Sequence, residues 1–158
     1  MNKPKKRKAA KGAAPLSRQD LLPMVAPLAR SISLKNHMAL AVFKTGQGNL
    51  DLASELLKTL YWAFYLSDGG EVGAAEADFM AAERALKACL IEAQTTDQWG
   101  IAEADALHME VILQLHDRQL ASMPVHRLEK AKQRLFRLME KDGGFPSFAM
   151  ERSSVSTA

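Results

Sequence analysis

Residues 124–141, PVHRLEKAKQRLFRLMEK, decide the reading of the fold. Val125, Leu128, Ala131, Leu135, Leu138 and Met139 recur every three or four residues, the period of a helix with one face in a core. Arg127, Lys130, Arg134, Arg137 and Lys141 recur at intervals of three, four, three and four. At 100° per residue these five cations fall within about 80° of azimuth, so an apolar stripe and a cationic stripe run side by side. Pro124 suits the first turn of such a helix, Gly143-Gly144 ends it, and Pro146 follows.

Upstream, the same period repeats. A helix is predicted from about Ala102 to Ala121, with Val111, Ile112 and Leu115 facing inward. Another runs from about Ala75 to Ala93, its apolar row being Phe79, Ala82, Leu86, Cys89 and Ala93. Asn49 is a good N-cap for a helix carrying Leu52, Ala53, Leu56, Leu57, Leu60, Tyr61 and Phe64, which stops at Asp68-Gly69-Gly70. A helix from about Leu28 to Lys44 ends at Gly46-Gln47-Gly48. Ser17 and Asp20 resemble an N-cap with its acid, opening a first helix that Pro23 and Pro27 limit to one or two turns. No β alternation of useful length and no second copy of a helical hairpin are visible. The fold class is therefore all-α. The short connections imply an antiparallel helical bundle of four long helices plus one or two shorter ones. Residues 1–16 are expected to be a disordered basic arm, 17–142 the bundle domain and 143–158 a flexible tail.

Composition bounds the function. The chain has 158 residues, 47% of them hydrophobic and 25% charged, ordinary values for one globular domain. Its net charge is +3, but unevenly placed. Residues 1–18 hold seven cations and no acid, residues 51–117 hold three cations against 13 acids, and residues 118–158 hold eight against four. One cysteine, Cys89, makes no internal disulfide, which points to a reducing cytoplasm. No apolar run is long enough for a membrane span, and no apolar segment follows the basic start as in a signal peptide.

Two cationic features point to nucleic acid. One is the stripe Arg127, Lys130, Arg134, Arg137 and Lys141, whose row of charges matches a phosphate backbone. The other is the arm, with Lys3, Lys5, Lys6, Arg7 and Lys8, which also fits a nuclear-import pattern. The plainer alternatives are a solvated helix face and a solubilising tail. Trp62 and Tyr65 lie off the face of Leu57 and Leu60, so they are candidates for contact with a protein partner or a second copy of the chain. This adaptor reading would also use the acidic middle helices.

Catalytic signatures are missing. There is no Ser-His-Asp order, no GxSxG elbow and no phosphate loop, so an enzyme is not expected. His108 and His116 are about 80° apart on their helix, a poor metal geometry, and Asp105-x-x-His108 lacks the second motif of a di-iron bundle. No metal and no cofactor are expected. Cys89, in an apolar row, reads as a buried thiol.

Leu34-Lys-Asn-His-Met-Ala-Leu40, the helix after Asn49 and Glu110-Val-Ile-Leu-Gln-Leu-His-Asp117 resemble short bacterial helical proteins labelled Fis-type (factor for inversion stimulation) transcriptional regulators. The resemblance spans about residues 28–141. It implies DNA binding in transcription regulation through a helix-turn-helix, with Ala121-Ser122-Met123 as the turn and Pro124 to Lys141 as the second helix. The chain departs from that pattern in having no glycine in the turn and a long helix before it.

Overall fold

The computed structural model describes residues 14–67 and 76–148. Among them are five helices and no strand: α1 (Ala26–Lys44), α2 (Leu50–Ser67), α3 (Glu76–Thr96), α4 (Glu103–Ser122) and α5 (Val125–Asp142). All five are long. The short helix expected at Ser17 is instead one turn. Ser17 donates to the Asp20 carboxylate from N (2.8 Å) and Oγ (2.7 Å), and Pro23 and Pro27 then prevent the turn from propagating. The arm cations Lys3 to Lys8 lie outside the described residues.

Local chemistry sets the helix ends. Asn49 Oδ1 accepts the Leu52 N–H at 2.9 Å, satisfying one of the orphan donors of α2. Gly143 takes φ 71° after α5 and donates to the Met139 carbonyl at 2.9 Å, the left-handed cap that glycine adopts without strain. The start of α5 has no side-chain cap. The N-terminal turn supplies one instead. The Leu22 carbonyl accepts from Val125 N at 2.9 Å, and the Asp20 carbonyl accepts from His126 N at 3.0 Å.

α2 sits at the centre, packed against α1, α3, α4 and α5. Leu56, Leu57, Leu60, Tyr61 and Ala63 are fully buried. α4 turns Met109, Ile112, Leu113 and Leu115 inward, whereas Val111, expected inward, is 38% exposed. It lies about 160° around the helix from Leu113, away from the buried face. The α1–α2 and α3–α4 loops are tied together: Gly48 N donates to the Trp99 carbonyl at 3.0 Å. A Cβ at Gly48 would stand 2.8 Å from the ring of the buried Phe43, so that ring would have to shift.

Residues 143–148 are not a flexible tail. Phe148 is 2% exposed, with its ring 4.4 Å from Phe64 and 4.7 Å from Tyr61, centroid to centroid. The buried carboxylate of Glu83 holds this segment. Its Oε1 accepts from Tyr61 Oη (2.5 Å), Lys87 Nζ (2.9 Å) and Phe148 N (3.2 Å). Tyr61 Oη also contacts the Pro146 carbonyl, which Lys87 Nζ reaches at 2.7 Å.

Candidate nucleic-acid interface

α5 divides into three longitudinal strips. Leu128, Ala131 and Leu135 are buried against α2. Lys132, on one side, pairs with Glu129 at 3.1 Å and lies 5.6 Å from the centre of the Trp62 ring. On the other side stand Arg127, Lys130, Arg134, Arg137 and Lys141, of which Lys130, Arg137 and Lys141 are exposed and the two other arginines half-buried.

Among the described residues no carboxylate lies within 4.0 Å of Arg127, Lys130, Arg137 or Lys141. Arg137 Nε donates to the Gln133 carbonyl of its own helix at 3.3 Å. Arg134 lays its guanidinium over the Tyr65 ring, 4.2 Å from the centroid, a cation–π contact that fixes its direction. Arg127, Lys130 and Arg134 line a shallow concavity of about 210 Å³ between α2 and α5, walled by Tyr65, Leu66 and Ala131. No acid among the described residues lines it.

The acidic middle of the chain finds its counter-charges elsewhere. Glu55 pairs with Lys35 at 3.0 Å and Lys58 at 3.1 Å. Burial alone would raise its carboxyl, but hydrogen bonds from these two lysines hold it below the ordinary value. Lys44 pairs with Glu110 at 3.0 Å and lies 3.6 Å from Glu103. Hydrogen bonding to Glu110 raises the Lys44 ammonium above its usual range. His37 meets Asp117 at 2.8 Å, and His108 meets Asp78 at 2.8 Å. The partners of these acids on α2, α3 and α4 therefore come from α1, α2 and α4, and among the described residues none of these acids pairs with Arg127, Lys130, Arg137 or Lys141.

The N-terminal turn is joined to the start of α5. Asp20 touches the first turn of α5 through its carbonyl, and hydrogen bonds from Ser17 hold its own carboxyl below the usual range. Ala14, the first described residue, is six residues from that contact and so lies within about 20 Å of the start of α5.

The two aromatics expected at the surface are covered. Tyr65 is 7% exposed beneath Arg134, and Trp62 is half-buried beneath Lys132. Cys89 is buried, and burial pushes its thiol above the usual range, away from thiolate chemistry. Among the described residues no cluster of three or more His, Cys, Asp and Glu side chains is placed to hold a metal ion, and no helix is long and apolar enough to cross a membrane. The capping of α5 by Asp20 and Leu22 has no counterpart in the sequence reading, since backbone carbonyls about 100 residues upstream carry no sequence pattern.

No protein-family model matches the chain, and no curated protein and no solved structure is significantly similar to it.

Proposed function

We propose that the protein is a non-enzymatic nucleic-acid-associated protein that binds phosphates through the exposed flank of α5, assisted by the basic arm. The observation that carries this reading is the row Arg127, Lys130, Arg137 and Lys141 with no carboxylate in reach among the described residues, in a chain whose body is otherwise acidic. Like charges in a row repel one another, and a polyanion relieves that repulsion while releasing its own counterions. The concavity between α2 and α5 is a natural seat for one phosphate group, with Arg127 and Lys130 at its wall. Such contacts fix position on a nucleic acid and carry little sequence information, so selectivity is weak. Regulation of transcription is the cellular role this reading favours.

The test is a mobility-shift titration of a 20-base-pair duplex at several salt concentrations, comparing the full chain with one that starts at Ser17. Binding by the shortened chain, weaker but still falling with salt, is expected. Binding that vanishes entirely with the arm would remove α5 from the interface.

A further inference from the structure

A second cavity, of about 220 Å³, lies on the other side of α5, between α1, α2, α4 and α5. Its walls are mainly apolar, formed by Ile32, Leu66, Leu120 and Leu128. Two buried polar side chains also line it: Asn36, 4% exposed, and His116, 2% exposed. No hydrogen bond joins the Asn36 amide to another described residue, and its polar atoms are not sealed from solvent, so they are available to a molecule in the cavity. The indole N–H of Trp62, another lining residue, is buried without a hydrogen-bond partner among the described residues.

The proton on His116 is placed by its neighbour. Gln119 Nε2 donates to the Ala63 carbonyl at 3.0 Å and to Ser67 Oγ at 3.2 Å, so the Gln119 oxygen is the atom that meets His116 Nδ1, at 3.3 Å. Nδ1 therefore carries the hydrogen, and Nε2 is a bare acceptor with no protein donor among the described residues. Burial lowers the imidazole below its ordinary value, so the ring is neutral. Charges at the rim are already matched: Lys35 by Glu55, and Lys132 by Glu129.

We propose that this cavity binds a small uncharged ring compound whose edge carries a hydrogen-bond donor beside an acceptor, as a primary amide or lactam does. The donor goes to His116 Nε2, the acceptor takes a hydrogen from the Asn36 amide, and the ring lies against Ile32, Leu66, Leu120 and Leu128. A cavity of roughly 150 Å³ already admits a benzene ring, so the space suffices. A charged ligand is disfavoured, because no unmatched counter-charge stands ready inside. Few placed polar groups in an apolar wall is the ordinary make-up of a small-molecule site.

Benzamide and α-methylstyrene are nearly the same shape, and only the first has the amide edge. Each is titrated into the full chain while the indole N–H signals of Trp62 and Trp99 are followed by NMR. Trp99 serves as the internal reference, its Nε1 lying 3.3 Å from Asp97 Oδ1. Benzamide is expected to move the Trp62 signal saturably, half-maximal at about 1 mM or below, and to leave Trp99 in place. α-Methylstyrene is expected to bind at least tenfold more weakly. Asn36→Leu should bring benzamide down to the level of α-methylstyrene. If that variant does not fold, Ile32→Phe, at a half-buried wall position, should abolish binding of both. A Trp62 signal that neither probe moves, equal binding of the two probes, or benzamide binding untouched by the substitution would each overturn the proposal.

Discussion

α2 and α5 are both 18 residues long, and they make opposite use of that length. Nine residues of α2 are buried, spread around most of its circumference, because four other helices pack on it. Only Leu128, Ala131 and Leu135 of α5 are buried, on the one side that faces α2. The first helix commits its surface to packing and has little left for solvent. The second buries three side chains fully, which leaves Lys130, Arg137 and Lys141 of its cationic flank exposed. Stability and binding should therefore separate cleanly between the two.

The largest expected effect is on the shared core. Leu60→Ala in α2 and Leu135→Ala in α5 should each cost about 2 to 5 kcal/mol in urea unfolding, because both are fully buried and neither site is free to collapse. If Leu135→Ala cost no more than an exposed substitution, α5 would not be docked as described. Tyr61→Phe comes next, at about 1 to 3 kcal/mol, since it leaves the buried Glu83 carboxylate short of a donor. Gly143→Ala, at φ 71°, should cost about 1 kcal/mol, read as a lowered thermal midpoint. On the cationic flank, Lys130→Ala and Arg137→Ala should stay within about 0.5 kcal/mol of the parent chain. A large loss there would mean that these cations hold the fold together.

Acidity extends the same contrast. His116, buried in α4, faces Gln119, Asp117 on its own helix and Lys132 of α5. Burial depresses its pKa in the folded chain, so below its ordinary value of 6.5 the unfolded chain binds a proton that the folded chain refuses. Stability contributed by this group is complete above that value and falls as the pH drops through it. His116→Gln should flatten the fall between about pH 7 and 5, measured as the urea midpoint against pH. An unchanged profile would place the pH response in other groups.

Much of the architecture is legible from hydrophobic period alone. The all-helical class, the Asn49 cap and the glycine stop after α5 follow from spacing and cap chemistry, whereas the expected four long helices and one or two shorter ones are five long helices among the described residues. The features that escape such a reading are set by long-range contact. Gly143-Gly144 and Pro146 read as the end of ordered structure, yet Phe148 enters the aromatic cluster of α2 and α3. Glu83 reads like any helix acid, because its partners Tyr61 and Phe148 are 22 and 65 residues away. Spacing puts Tyr65 off the inner face of α2, and Arg134 covers it there. Asn36 and His116 share a cavity only because α1 and α4 pack together. For the candidate interface, the periodicity of the five cations is readable, whereas the absence of a described carboxylate near Arg127, Lys130, Arg137 and Lys141 depends on where the acids of α2 to α4 find their lysines and histidines.

The decisive experiment on the α5 flank is the salt dependence of duplex binding by the full chain, with and without Lys130→Ala, Arg137→Ala and Lys141→Ala combined. Each phosphate that the protein no longer neutralises should make the slope of log K against log salt shallower by about 0.9. The triple variant should therefore flatten it by up to about 2.7 while the helix content is unchanged. A slope identical to that of the parent chain would contradict a role for α5 in holding phosphates.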